Sequence, residues 1–344
     1  MSHLPTAVKQ CNVAIVGATG MVGQEFIRIL IQRHFPLASL RLMASSRSVG
    51  KRLMVGDQEV EVEEANHRSF DGADFVFISA TDDASRNLAP LAAKAGAIAI
   101  DDSGVWRMDP SVPLVVPEVN ADDVADHKGI LAIPNCSTTP VVMVLWPLHR
   151  LNPVKRVIAC TYQSVSGTGK AAVQELETEA RLVLEGKEAI PHVYPHQIAF
   201  NLLPEIGSFK DDGYTSEEWK MTNETRKIMH EPDLLFSATC VRVPVFVGHS
   251  IALHVEFTNP ITPEEARTVL SRAPGMVVQD DPSISLYPQP WQSAGLDPVF
   301  VGRVRPDTAL PNGLALWVVV DNLRKGAALD AIQIAEELLS RNLV

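Results

Sequence analysis

Cysteine is scarce and scattered: Cys11, Cys136, Cys160 and Cys240 form no C-x-x-C pair. Neither a disulfide framework nor a cysteine-rich zinc site is indicated, no metal is expected, and a reducing compartment fits best. Long hydrophobic runs are also missing. The longest, near Pro140–Leu148, is about half of the roughly 20 residues that cross a bilayer, so no membrane span is expected. Basic charge is not in excess: 30 Lys and Arg stand against 41 Asp and Glu, a net charge of −11, which argues against nucleic acid as a partner. There is no repeat and no low-complexity tract. The first ten residues carry Pro5 and a single basic side chain, Lys9, without the apolar core of an export signal, so the cytoplasm is expected. What remains is ordinary globular material: 344 residues, 46% hydrophobic and 21% charged, enough for about two domains.

Strand and helix signals alternate in the first part. Apolar strand patterns at Asn12–Val16, Ser39–Ala44, Asp74–Ala80, Ala97–Asp101 and Ile130–Ile133 are interleaved with helical spacing at Met21–Arg33 and Asp83–Lys94, which predicts a Rossmann-type, doubly wound parallel sheet. After Cys136 the texture changes. Longer strands at Val154–Gln163, Ser237–Pro244 and His249–Thr258, with a polar helix at Lys170–Leu184, predict a second, α+β domain. Seven prolines between Pro274 and Pro311 predict an ordered excursion without helix or strand. Leu314–Val320 reads as a strand and Ala327–Leu339 as an amphipathic closing helix.

Three local patterns carry chemistry. Gly17-Ala18-Thr19-Gly20-Met21-Val22-Gly23 places glycines between a strand and a helix, where backbone amides and the helix dipole hold a pyrophosphate; a merely structural glycine turn is the plainer alternative. The second strand ends in Ser45-Ser46-Arg47-Ser48, with no carboxylate for a ribose hydroxyl and with a guanidinium and hydroxyls for a 2′-phosphate, so NADP is preferred over NAD. In Pro134-Asn135-Cys136-Ser137-Thr138-Thr139-Pro140 the cysteine stands at a helix start, which favours the nucleophilic thiolate. The other three cysteines lie in or beside strands and read as inert core residues. A nicotinamide fold with a cysteine nucleophile interconverts an aldehyde and an activated acid through thiohemiacetal and thioester, and needs a proton shuttle. Among ten histidines, His249, after Gly248 at a strand start, suits that role.

With these motifs the chain resembles the aspartate-β-semialdehyde dehydrogenase family. The matching segments are Gly17–Gly23, Ser45–Ser48, Asp101–Pro110, Pro134–Pro140, Gln163–Gly169, Ser216–Thr222, Arg242–Ser250 and Asp321–Ala327. The resemblance implies NADPH-dependent reduction of L-aspartyl-4-phosphate to L-aspartate-4-semialdehyde, reversibly, in lysine, threonine and methionine biosynthesis. By similarity Cys136 is the nucleophile, His249 the acid–base and Gln163 a positioning residue. Arg242 meets the substrate α-carboxylate, Glu217 its amino group, and Lys220, Arg107 and Asn135 the phosphate; Glu218 is the rival of Glu217. Ser166 and Gly167 are expected near the nicotinamide and Asn322 at its carboxamide. The family pattern further implies an NADP-binding domain of residues 1–135 plus 323–344, a catalytic and dimerisation domain of residues 136–322, and a homodimer or a tetramer built from dimers. The competing readings are an N-acetyl-γ-glutamyl-phosphate reductase, against which an unacylated amine partner such as Glu217 argues, and a non-catalytic NADP-binding paralogue.

Overall fold

The computed structural model describes residues 9–66 and 68–344; the first eight residues, most of the segment in which no export signal is expected, lie outside them. The chain divides into two compact units, one running to Pro134 and resuming at Ala327–Val344, the other Asn135–Gly326.

The first unit is built on β1 (Cys11–Val16), α1 (Met21–Gln32), β2 (Leu37–Ala44), β3 (Arg52–Val55), β4 (Gln58–Glu64), β5 (Phe75–Ile78), α2 (Asp82–Lys94), β6 (Ile98–Asp101), the single turn α3 (Pro117–Asn120) and β7 (Ile130–Ala132). Its seven strands lie in the order β3-β4-β2-β1-β5-β6-β7. All neighbours are parallel except the hairpin partners β3 and β4. The runs in β1, β5 and β6 are buried almost throughout, as parallel strands covered on both faces must be. One face packs Phe26, Ile29 and Leu30 of α1 with Ile332, Ala335 and Leu338 of the carboxy-terminal helix Leu329–Ser340. The hairpin β3–β4 had no counterpart among the sequence expectations. Its charged, alternating residues form an exposed edge, whose apolar signal is weak.

The second unit contains α4 (Thr138–Leu151), β8 (Val154–Gln163), α5 (Lys170–Leu184), α6 (Ser216–Ile228), β9 (Leu235–Arg242), β10 (His249–Phe257), α7 (Pro263–Leu270), β11 (Met276–Val278), the short α8 (Pro290–Ser293), β12 (Val299–Pro306) and β13 (Gly313–Val320). The six-stranded mixed sheet runs β11-β12-β13-β10-β8-β9. Helices α4, α6 and α7 contact this sheet or one another. The strands β8 and β10 alternate between buried and partly exposed positions, leaving Ile158 and Tyr162 39% and 38% exposed. The expectation for 274–311 is corrected here: β11, α8 and the eight-residue β12 lie in that stretch. Pro298 stands before β12 and Pro306 is its last residue, so neither interrupts the run: Val299 pairs with Met276 of β11, and Phe300 and Val301 with Val319 and Val318 of β13.

Candidate active site

Strand polarity gathers the site at one end of the second sheet. β8 and β9 run parallel with Gln163 opposite Arg242, while β10 runs antiparallel to β8 and β13, with His249 opposite Val320. The carboxyl ends of β8, β9 and β13 and the amino end of β10 therefore bring Gln163, Arg242, Asn322 and His249 to the same edge. Cys136 stands just before α4.

Cys136 Sγ lies 3.3 Å from His249 Nε2. The imidazole is fully buried. Burial first, and then the positive charge of Arg242, push its pKa down to about 3, against an upward pull from Glu217, so the ring is neutral near pH 7. On its other side Nδ1 accepts the Ser164 amide at 3.1 Å and faces Ser164 Oγ at 3.1 Å. Ser164 Oγ and Ser166 Oγ each lie 3.0 Å from Asn322 Oδ1, which also accepts the Gly248 amide at 2.9 Å. A backbone amide only donates, so the Asn322 oxygen faces inward and its Nδ2 is left to donate elsewhere. Gly248 has φ +96°, and a Cβ there would fall 2.9 Å from Pro290 Cβ; this is why a glycine precedes the histidine.

Glu217, in the first turn of α6, is almost fully buried. Its Oε1 accepts from Asn135 Nδ2 at 2.8 Å and Gln163 Nε2 at 3.0 Å, and Lys220 Nζ lies 3.3 Å from Oε2. Burial pushes its pKa up, but Lys220, these two amides and Arg242 outweigh it and hold the carboxyl below its ordinary value. Glu218 is committed elsewhere: its carboxylate accepts the Thr215 amide in a capping box at 2.7 Å and the Cys240 amide at 2.9 Å. Arg242, also buried, donates from Nη1 to the Ser164 carbonyl at 2.7 Å, while its Nε meets no acceptor among the described residues. A buried guanidinium with an unserved donor is suited to an anion supplied from outside.

Gly167 closes the loop after β8, and a Cβ at this position would stand 3.1 Å from Arg242 Nη1 and 3.3 Å from His249 Nε2. Gly326 similarly lies flat against Cys136, where a Cβ would come within 3.0 Å of the cysteine Cβ. The structure thus brings together Cys136, His249, Gln163, Glu217, Asn135, Arg242, Ser166, Gly167 and Asn322, with Lys220 at the rim. Ser164, which touches His249 and Asn322, was not among the expected site residues; nothing in its sequence context distinguishes it from a strand-end serine. Cys11 and Cys240 have raised pKa values, chiefly through burial, as inert core thiols should.

Arg107 lies in the first unit, where Nη2 donates to the Asp102 carbonyl at 2.7 Å. That unit also holds the glycine loop. Gly17 has φ +88°, and a Cβ on it would sit 1.9 Å from the Ser79 carbonyl oxygen; a Cβ on Gly23 would be 2.2 Å from the Gly17 oxygen. These glycines let α1 start hard against β1. Gly20 caps α1 without a side-chain hydrogen bond, and no acidic residue occupies the first turn, so the Met21 and Val22 end offers its amides to an anion. Ser45 and the 3₁₀ turn Ser46–Ser48 follow β2; Arg47 is exposed, Ser48 Oγ lies 3.5 Å from Thr19 Oγ1, and Lys51 Nζ reaches Ser48 Oγ at 3.2 Å. These donors fit a nucleotide bearing an extra phosphate. Lys51 is a nearby cation that sequence reading passed over, although it lies only four residues beyond Arg47.

The chain is similar to known proteins along its length. Residues 12–127 match the semialdehyde dehydrogenase NAD binding domain and 145–325 the semialdehyde dehydrogenase dimerisation domain. An aspartate-semialdehyde dehydrogenase of Aquifex aeolicus is 51% identical over 97% of this chain and 99% of its own. The crystal structure of aspartate semialdehyde dehydrogenase II from Vibrio cholerae complexed with ASA matches with a TM-score of 0.94 at 42% identity, covering 96% and 98% of the two chains. An aspartate semialdehyde dehydrogenase with NADP from Candida albicans matches at 0.78 with 27% identity, covering 98% and 100%. A nucleotide-binding first unit, a half-buried cysteine beside a buried histidine in the second and full-length similarity agree, and the chain belongs to the aspartate-semialdehyde dehydrogenase family.

Proposed function

We propose that this chain carries out the NADPH-dependent reductive dephosphorylation of L-aspartyl-4-phosphate to L-aspartate-4-semialdehyde, and the reverse reaction, through a thioester on Cys136. The observation that carries this reading is the pairing, beside Cys136 and His249, of a buried ionised Glu217 with a buried Arg242 whose Nε meets no acceptor among the described residues. A carboxylate and a guanidinium together suit the ammonium and α-carboxylate of a free amino acid. An acylated amine would leave Glu217 without a cationic substrate partner, which favours the aspartyl over the N-acetylglutamyl substrate.

In this reading Arg242 grips the α-carboxylate and Glu217 the amino group, so that the acyl carbon is presented to Sγ. Cys136 attacks it and the C–O bond to phosphate breaks, leaving the thioester. Lys220, Asn135 and Arg107 receive the departing phosphate. Gln163, held by Thr161 Oγ1 at 2.9 Å and by Glu217, steadies the reacting group. When bound, NADPH supplies the hydride that reduces the thioester. His249 is the acid–base partner, acting through Nε2, the nitrogen next to Sγ. Gly17, Ala18, Thr19, Gly20, Met21 and Val22 would hold the pyrophosphate and Ser45, Ser46 and Arg47 the 2′-phosphate; Ser166, Gly167 and Asn322 Nδ2 would meet the nicotinamide.

Residues 1–135 with 323–344 form the NADP-binding domain in this reading, and 136–322 the catalytic and dimerisation domain. The exposed side of the second sheet, where Tyr162 and Trp317 have ring centroids 5.5 Å apart, supplies the surface for a cytoplasmic homodimer. No helix among the described residues is long and apolar enough to cross a membrane.

The test mixes purified protein with aspartate semialdehyde, phosphate and NADP and follows NADPH, with N-acetylglutamate semialdehyde in parallel and Cys136→Ser as control. Phosphate-dependent turnover confined to the aspartyl substrate, lost in Cys136→Ser, is expected. Turnover of the acetylated substrate alone would refute the reading of the pocket. Silence with both, in protein that binds NADPH, would identify a non-catalytic relative.

A further inference from the structure

We infer that Glu224 is a positioning residue for the nucleophile. It takes the backbone amide of Asn135 and so ties the turn that carries Cys136 to α6, the helix that also carries Glu217. The inference rests on the catalytic reading above and adds a residue to it.

The turn hangs on Asn135. Its carbonyl accepts the Thr138 and Thr139 amides at 2.8 and 3.1 Å, and its Oδ1 accepts the Ser137 amide at 2.9 Å, so this one residue closes the start of α4. Both of its nitrogens donate to α6. Nδ2 reaches Glu217 Oε1 at 2.8 Å, and the backbone N–H reaches Glu224 Oε2 at 2.7 Å. Residues seven apart in a helix are close to two full turns apart and share a face, which is how one helix reaches Asn135 at two points. Glu224 is 1% exposed. Burying a carboxyl group costs free energy unless it is well bonded, and here it holds main chain one residue from the nucleophile.

The two ties differ in kind. Glu217 receives the substrate amino group in the catalytic reading, and its hold on Asn135 runs through a rotatable side-chain amide. Glu224 has no part in the substrate contacts of that reading and grips the backbone itself. Helix α6 is in turn fixed to β9: Glu218 accepts the Cys240 amide at 2.9 Å, and Arg226 Nε donates to the carbonyl of Leu234, just before the strand, at 2.9 Å. Because β9 ends in Arg242, one rigid pair of elements carries both groups that hold the substrate amino acid. Glu224 fixes the nucleophile turn to that same pair. The separation of Sγ from the acyl carbon, on which the rate of attack depends steeply, is thereby set by a contact that substrate binding leaves alone.

Two substitutions separate contact from charge. Glu224→Gln keeps an oxygen within reach of the Asn135 amide and removes the charge. Glu224→Asp keeps the charge and withdraws the carboxyl group by one carbon–carbon bond, about 1.5 Å. Purified full-length variants are assayed for NADPH formation from aspartate semialdehyde, phosphate and NADP, with thermal unfolding in parallel. Glu218→Gln, at a buried glutamate of the same helix that bonds only its own helix cap and β9, is the control for a structural loss. Glu224→Asp should lower kcat by about 10- to 100-fold with KM for aspartate semialdehyde within about two-fold, because Arg242 and Glu217 are untouched. Glu224→Gln should keep kcat within about three-fold of wild type, and Glu218→Gln should lose stability without losing kcat. If Glu224→Asp does not fold, Glu224→Met, which matches the length without a strong acceptor, replaces it with the same expectation. An Asp variant with wild-type kcat overturns the inference, whether or not its unfolding temperature falls. Equal losses in Gln and Asp overturn it in favour of charge, and a kcat loss matched by a rise in KM overturns it in favour of a displaced substrate pocket. Turnover by wild type decides the catalytic reading, so a wild type without turnover refutes that reading and this inference with it, whereas the ratio between variants of an active enzyme bears on Glu224 alone.

Discussion

Acidification should destabilise the second unit in a way that traces to His249. In the unfolded chain the ring takes up a proton near its ordinary value of 6.5, whereas burial and Arg242 hold the folded ring to about 3. Above pH 6.5 neither state is protonated and the effect vanishes. Below it the unfolded state binds a proton that the folded state refuses, so stability falls as pH falls, until about pH 3. Each pH unit in that window is worth about 1.4 kcal/mol, so the group alone should remove about 2 kcal/mol between about pH 7 and about pH 5. Urea unfolding followed by tryptophan fluorescence suits the purpose, because Trp146, Trp219, Trp291 and Trp317 all lie in the second unit and only Trp106 in the first. Wild type and His249→Gln should be compared at both pH values. Other titrating groups contribute equally to both proteins, so the difference between the two pH slopes isolates His249. Wild type should lose about 2 kcal/mol more than His249→Gln; parallel slopes would mean that the folded ring accepts a proton, and the assignment of a neutral imidazole would fail.

Three further outcomes follow from contacts in the two units. Gly167→Ala places a Cβ 3.1 Å from Arg242 Nη1 and 3.3 Å from His249 Nε2; shifting these groups by tenths of an ångström should cut kcat by about 10- to 100-fold, while thermal unfolding moves little, and an unchanged kcat would show the ring has slack. Glu217→Gln should reduce kcat/KM for aspartate semialdehyde by about 10-fold or more with stability nearly retained, whereas Glu218→Gln should lose about 1–2 kcal/mol of stability with KM unchanged; the reverse pattern would exchange their roles. Arg47→Asp should raise the Kd for NADPH at least about ten-fold more than that for NADH, measured by fluorescence titration, and equal losses would remove Arg47 from the 2′-phosphate site.

The legible parts of the sequence are those whose physics is local. A strand followed by glycines and an apolar helix needs only adjacent residues, and Gly17–Gly23 forms such a turn at α1. Cys136 beside the start of α4 is likewise a neighbourhood property. The choice between Glu217 and Glu218 was also within reach, because Thr215-Ser216-Glu217-Glu218 spells a capping box, which assigns the second glutamate to the helix end and frees the first. The proline count between Pro274 and Pro311 misled because it treats spacing as uniform, whereas a proline removes only its own N–H, and β12 runs from just after Pro298 to Pro306 at its end. The role of Ser164 had no signal at all. Its partners are 85 and 158 residues away in sequence, and only the register of β8 against β10 and the end of β13 brings them within reach.

That long-range arrangement explains why the site tolerates so many buried polar groups. Asn135 and Gln163 bond Glu217, and Ser166 and His249 bond Ser164; these residues stand at strand ends, in the turn after β8, just before α4 or in the first turn of α6. A polar group so held needs no reorganisation when charge develops near it. Two donors stand apart from these bonds: Arg242 Nε, buried without an acceptor among the described residues, and Asn322 Nδ2, which points away from the Gly248 amide that Oδ1 accepts. They are the groups assigned to the substrate carboxylate and the nicotinamide carboxamide. Asn322→Asp tests the second assignment, because it keeps an oxygen toward Gly248 and Ser166 but replaces the outward donor. It should weaken cofactor binding, and its added negative charge close to His249 should raise the pKa of the ring. A variant that binds NADPH as tightly as wild type while His249 shifts would separate the two effects and take Asn322 out of the cofactor site.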